Sequence, residues 1–129
     1  MMAEKRILVV DDEIRIRDLF SEVFSRAGYM VKTAESAEET LEIMVKTPFM
    51  VLFLDLNLPG LNGVELCRRI RKGWPMSICF AVTGYASLFE LSECRDAGFE
   101  DCFTKPATLA DLLAAAEHAF TKIERWKQR

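Results

Sequence analysis

The pair Asp11-Asp12 closes the apolar run Ile7-Leu8-Val9-Val10. Adjacent carboxylates raise each other's pKa and resist burial, so a positive charge is expected beside them. Acids after a strand also suit the start of a helix, where they meet the positive end of its dipole. The pair alone does not separate these readings. Further along, other chemistry-bearing residues follow apolar runs in the same way: Asp55 in "VLFLDLNLPG", Thr83 in "FAVTGYA" and Lys105 in "CFTKPA". Each is weak by itself. A threonine at a strand end is ordinarily a capping or packing group, and Lys-Pro is commonly just a loop. Their joint occurrence at the ends of successive strands is what points to function, and it makes the opening acids a seat for a cation.

Asp11, Asp12 and Asp55 against Lys105 leave negative charge in excess, which invites a divalent ion. All candidate ligands are hard oxygens, without histidine or cysteine, so Mg²⁺ is the expected metal. Mg²⁺ keeps several waters and binds few carboxylates, so a phosphoryl group would complete such a site. Lys105 can pair with one phosphoryl oxygen and Thr83 can hydrogen-bond another. One carboxylate is left to act as nucleophile. Phosphoryl transfer needs mostly positioning and charge neutralisation, and this set can supply both.

The elements that must position these residues are legible in the apolar pattern. "ILVV" (7–10), "FMVLFL" (49–54) and "ICFAV" (78–82) are short continuous runs, as expected of strands buried on both faces. "YMVKTA" (29–34) and "DCFT" (101–104) are weaker and read as flanking strands. Between them run helical periods. Ile16, Leu19, Phe20, Val23, Phe24 and Ala27 form one stripe that Gly28 ends. Ser36 with Glu39 makes a capping-box pattern before Leu41, Ile43 and Met44. Val64, Leu66, Cys67 and Ile70 follow "NG" at 62–63, Ser87 with Glu90 opens a fourth helix closed by Gly98, and Thr108 with Asp111 opens a fifth. Strand and helix thus alternate through five repeats. Such an order predicts an α/β fold: a doubly wound five-stranded parallel sheet in a (βα)5 three-layer sandwich, with right-handed crossovers. Sites in that architecture form at the carboxyl ends of the strands, where strand order reverses.

Composition narrows the field. At 129 residues the chain is long enough for one core, and 50% hydrophobic with 29% charged residues suits a globular domain rather than a disordered segment. A net charge of −3 gives no reason to expect direct nucleic-acid binding. No apolar run approaches a membrane span, and "MMAEKR" has no signal-peptide layout, so no membrane partner and a cytoplasmic location are expected. Cys67, Cys79, Cys94 and Cys102 never approach CxxC spacing, and reduced thiols acting as small apolar residues are the expected state. His118 falls in a helical pattern, with no nucleophile constellation around it.

With these residues in place, the sequence resembles the receiver domains of bacterial two-component response regulators. The resemblance rests on "ILVVDDE", "LDLNLPGLNG", "VTGYA" and "TKP" in order, and covers about residues 5 to 123 of a single 1–129 domain. Residues 124–129 are left as a helix end or the start of a linker. The resemblance implies a flavodoxin-like sheet of strand order 2-1-3-4-5 and a phosphorylation-activated switch rather than a turnover enzyme. Asp55 would accept a phosphoryl group from a phosphohistidine of a sensor histidine kinase or phosphotransfer protein. Asp12 and Asp55 would bind Mg²⁺ directly, helped by the backbone carbonyl of Asn57, with Asp11 acting largely through water. Thr83 and Lys105 would hold phosphoryl oxygens, and Gly84 would leave the group approachable. Pro59 and Gly63 match the loop after the acceptor. The output would pass to a partner protein or effector domain, whose identity stays open, as does a homodimer through the fourth and fifth elements.

One position departs from the family pattern. Receivers commonly carry an aromatic residue three before the lysine, a ring that swings inward with the threonine; here that position is Cys102. Phe103 has the opposite parity and should face the core. Two competing functions follow. A constitutive interaction module with a degenerate switch rests on Cys102 alone, and the full acid-threonine-lysine set argues against it. A Mg²⁺-dependent phosphatase would call for an acid two residues after the nucleophile, where Asn57 stands. Tyr85, two residues after Thr83, is a candidate for signalling at the same surface. Tyr85→Ala is then expected to weaken partner binding while leaving Asp55 phosphorylation intact, and unchanged partner affinity in a pull-down titration would remove the idea.

Overall fold

The apolar runs form strands because their side chains are buried alternately on two opposite faces, which a helix cannot do. The computed structural model describes residues 4–84 and 86–129. Strands β1 (Arg6–Val10), β2 (Met30–Ala34), β3 (Val51–Asp55), β4 (Ile78–Thr83) and β5 (Asp101–Thr104) alternate with helices α1 (Ile14–Arg26), α2 (Ala37–Lys46), α3 (Gly63–Gly73), α4 (Leu88–Ala97) and α5 (Leu109–Lys127). The strands pair in parallel, as the sequence pattern implies, and in the order β2-β1-β3-β4-β5 that the resemblance implies.

Period-two alternation sorts the core into two halves. Leu8, Val10, Leu52, Leu54, Cys79 and Ala81 meet α2, α3 and α4 on one face. Ile7, Val9, Val51, Phe53, Phe80 and Val82 meet α1 and α5 on the other. A ladder of rings crosses this second face, with Phe24–Phe53 and Phe53–Phe80 centroids each 4.9 Å apart and Phe103 next to Phe80 at 6.0 Å. Phe103 is therefore turned inward, as its parity requires.

Three helix starts follow the expected caps, Ser36, Ser87 and Thr108, and Asn62 caps the third helix in the same way, each accepting a hydrogen bond from the backbone N–H three residues on. The reciprocal half of the capping box closes between Ser87 and Glu90. Two expectations need correction. Phe49 and Met50 precede β3 rather than belonging to it: the Phe49 N–H is spent on Met44 Sδ and its carbonyl accepts from the Ser77 hydroxyl, so its backbone is committed outside the sheet. Leu19 is 45% exposed, because α1 presses its Phe20–Phe24 edge into the sheet and Leu19 lies off that arc.

The loop joining β3 to α3 is held by contacts that leave no room for a side chain at its end. Leu56 and Leu58 are buried in the core, and the Gly63 N–H donates to the Leu56 carbonyl at 3.1 Å. A Cβ on Gly63 would collide with the Asp55 carbonyl oxygen and lie 2.8 Å from Leu56 Cα. Backbone cannot yield as a flexible side chain can. Gly63→Ala is expected to cost about 1–3 kcal/mol by denaturant unfolding. Gly73→Ala, where nothing lies within 4 Å of the added carbon, is expected to be neutral or slightly stabilising.

Candidate functional site

Parallel register places the chemistry at one rim. Val10 pairs with Leu54, so Asp11 and Asp55 lie at the same level one step further along adjacent strands. Asp55 pairs with Val82, and Thr83 pairs with Thr104, which puts Lys105 just beyond. The Lys105 N–H donates to the Thr83 carbonyl at 2.7 Å, so the ends of β4 and β5 are tied beside the acids. This rim includes the reversal of strand order between β1's two neighbours, β2 and β3.

Carboxylate oxygens of Asp11, Asp12 and Asp55 all lie within 4.8 Å of one another. Asp11 and Asp55 are only 2% and 4% exposed, whereas Asp12 opens to solvent. Lys105 Nζ bonds Asp11 Oδ2 at 2.9 Å and approaches Asp55 Oδ2 at 3.7 Å. The remaining oxygens accept from backbone: Glu13 N–H donates to Asp11 Oδ1 at 2.9 Å, and Asn57 N–H to Asp55 Oδ1 at 3.1 Å. Asp11 thus also guides the chain into α1, whose N-cap Glu13 makes no side-chain cap of its own. The helix-entry reading of the opening acids holds for Asp11, and the gathered oxygens are of a kind that suits a cation.

Charge is unbalanced here. Burial pushes the Asp55 carboxyl above its ordinary value; the Asn57 N–H and Lys105 pull it down, while Asp11 and Asp12 push it up. Lys105 is also raised. Desolvation works against its charge, but the Asp11 hydrogen bond and the charges of Asp55, Asp11 and Glu13 outweigh it. A set of hard oxygens with surplus negative charge, one member open to water, fits Mg²⁺. Asn57 is exposed next to the acceptor loop, and no heavy atom lies within 4 Å of a Cβ built on Gly84, so the approach to the rim is open. Thr83 is fully buried at the end of β4. Cys102 is half-buried on the α4 side of the sheet. Tyr85 lies outside the described residues.

Arg17 was not singled out by sequence reasoning. Its Nη1 donates to the Asp11 carbonyl at 2.8 Å, and its guanidinium also faces Glu35 at 4.0 Å. A positive residue one turn into a helix that follows paired acids was the available signal. The largest surface cleft, lined by Arg6, Met30, Ile43 and Phe49 among others, lies toward the amino ends of the strands and gathers none of these groups.

Comparison with known proteins agrees with this geometry. The family model described as the response regulator receiver domain matches residues 7–117. An uncharacterized transcriptional regulatory protein of Bacillus subtilis, YrkP, is 38% identical over 109 residues, covering 84% of this chain and 46% of its own length. The chain therefore spans less than half of that relative. Sporulation initiation phosphotransferase F of Bacillus subtilis is 29% identical over 116 residues, covering 90% of this chain and 94% of its own. A CheY-like receiver domain from Methanospirillum hungatei superposes with a TM-score of 0.92 at 32% identity, covering 95% of this chain and 98% of that one.

Asp55 gives a pH-dependent stability. A carboxyl raised in the folded state resists its own ionisation there, so the cost is full above the folded pKa and vanishes below the unfolded value near 3.8. In metal-free buffer Asp55→Asn is expected to raise the melting temperature by a few degrees at neutral pH. The gain should shrink as pH falls through the carboxylate range, measured by thermal unfolding at a series of pH values.

Proposed function

We propose, from the premise that this chain belongs to the response regulator receiver domain family, that it is a phosphorylation-activated signalling switch with Asp55 as the phosphoacceptor. The observation that carries the assignment is the clustering of Asp11, Asp12 and Asp55 oxygens within 4.8 Å, bridged by Lys105 at 2.9 Å from Asp11. The donor is a phosphohistidine of a sensor histidine kinase or phosphotransfer protein, in keeping with the phosphotransferase among its relatives. The whole chain is read as one receiver unit acting in the cytoplasm. Among the described residues no helix is long and apolar enough to cross a membrane.

An Asp55 carboxylate oxygen attacks phosphorus, the P–N bond to the donor imidazole breaks, and the ring nitrogen leaves with a proton. Asp12 and Asp55, with the Asn57 carbonyl, would hold Mg²⁺ directly and Asp11 through water; the bound ion supplies charge neutralisation for the transferring oxygens. Lys105, already between Asp11 and Asp55, exchanges carboxylate contacts for a phosphoryl oxygen. The Thr83 hydroxyl takes another. Gly84 leaves the acceptor's approach clear of side chain. Asn57, with no carboxyl to protonate a leaving group, supports transfer to Asp55 rather than a phosphatase cycle.

The added charge, roughly −1.5 to −2 by analogy with other phosphoresidues, pulls Lys105 and Thr83 toward the acceptor and shifts the β4–α4–β5 surface between two populations. That surface is what an output protein or effector domain reads, and the one through which a second copy would pair. Nothing in the geometry favours the constitutive module, and the nearness of the three acids to Lys105 supports the switch.

Intact mass after incubation with Mg²⁺ and acetyl phosphate tests the assignment. One phosphoryl group is expected, lost with a chelator and in Asp55→Asn. Lys105→Ala should slow its gain by about 100-fold. Failure to gain mass together with failure to bind beryllofluoride would overturn the reading.

A further inference from the structure

Every polar group of Asp11 is held. Its N–H donates to the Ala34 carbonyl at 3.1 Å. Its carboxylate oxygens accept from the Glu13 N–H and from Lys105 Nζ, each at 2.9 Å. Its carbonyl accepts from Arg17 Nη1 at 2.8 Å, a contact that reaches back from α1. Asp12 is placed differently. Its carboxylate is exposed and, among the described residues, takes part in no hydrogen bond or ion pair. Even so, one of its oxygens stays within 4.8 Å of those of Asp11 and Asp55.

The chain on either side is what holds Asp12. A peptide group is planar, so fixing the Asp11 carbonyl oxygen also fixes the amide nitrogen and Cα of Asp12. Arg17 is the side chain that bears directly on this peptide. It stands one turn into α1, which begins at Ile14, and is only 15% exposed. Charge pairing does not account for its position. The acid it faces is Glu35, at 4.0 Å and 68% exposed, outside the cluster of three.

We propose that Arg17 is a positioning residue for the cation seat: by gripping the Asp11 carbonyl it fixes the peptide that carries Asp12, and so presets this exposed ligand for a divalent ion. The inference rests on the reading of the rim as a Mg²⁺ seat. Arg17 touches neither the ion nor a phosphoryl group, and acts through Asp12. Without the grip, Asp12 has to be ordered during binding, which lowers affinity.

Arg17 could affect the seat in two ways, and they have opposite signs. A nearby positive charge repels a dication, so removing it tightens binding. A brace orders a ligand beforehand, so removing it loosens binding. Affinity for the metal alone therefore separates them.

Mn²⁺, which also prefers hard oxygen ligands, is titrated into the full chain at fixed ionic strength. Free Mn²⁺ is counted by its electron paramagnetic resonance signal, and Mg²⁺ is added as competitor. Arg17→Met keeps the stem and removes the donor, and it should weaken both ions by about 10-fold, as for residues that orient metal ligands. The grip uses a single N–H, so the ammonium of Arg17→Lys should recover most of the loss. Glu35→Gln should leave affinity unchanged. Urea unfolding in metal-free buffer checks that the variants fold; were Arg17→Met unfolded, Arg17→Gln takes its place with the same expectation.

Unchanged or tighter binding by Arg17→Met overturns the proposal, whether or not its unfolding midpoint falls. Equal weakening by Arg17→Met and Arg17→Lys overturns it as well, since the donated hydrogen bond is then not what matters. Asp12→Ala separates these failures from a failure of the seat itself. A wild-type chain that binds no Mn²⁺, or binds it no better than Asp12→Ala, overturns the Mg²⁺ reading of the rim and the proposal with it.

Discussion

Lys105 holds together a rim that the strand register crowds with carboxylates and that their like charges would drive apart. Its ammonium lies 2.9 Å from an Asp11 oxygen and 3.7 Å from one of Asp55, having come from 94 residues away to meet Asp11. Two carboxylates about 5 Å apart repel by roughly 3 kcal/mol at an effective dielectric of about 20. With three carboxylates gathered within 4.8 Å, one ammonium offsets only part of that repulsion. The residue of it shows in Asp55, whose carboxyl is held above its ordinary value despite a backbone N–H and a lysine close by. Negative charge is thus left in excess, and on the proposed function a cation would lower its energy and a phosphoryl group would give Lys105 a new partner.

Such a cluster survives only on a scaffold that does not yield. Here the acids extend strands buried on both faces, and Phe24, Phe53, Phe80 and Phe103 stack in succession behind them. On the opposite side, Leu56 and Leu58 anchor the segment after Asp55, and Gly63 lets α3 begin against the acceptor's own backbone. Arg17 braces the Asp11 carbonyl from α1. Beyond β4 and β5, α4 buries only Cys94 and Ala97 and presents Leu88 and Phe89 to solvent.

Much of this was legible beforehand because the signals are local. Short apolar runs, Ser36, Asn62, Ser87 and Thr108 at helix starts, and polar residues just past strand ends each follow from neighbours in the chain. What escaped depends on distant partners. Phe49 looks like strand by composition, yet Met44 and Ser77 claim its backbone. Leu19 fits the helical period, but the angle at which α1 meets the sheet leaves it outside. Arg17 is one of several arginines on α1, and only the fold brings its guanidinium to the Asp11 carbonyl. The shared face of the cysteines was invisible for the same reason, since residues 67, 79, 94 and 102 share no motif spacing and come to one cluster only when α3 and α4 cover the sheet.

Cys102 changes how a signal can leave this site. A large ring at that position can swing between two orientations and carry the state of the acceptor outward; a thiol has too little bulk to do so. On the proposed function, transmission would run through backbone: Lys105 N–H bonds the Thr83 carbonyl, Thr83 pairs with Thr104, and Ala81 pairs with Cys102. On that reading, a shift of Thr83 toward a phosphoryl oxygen would pull on β5 through these backbone pairs rather than through a ring.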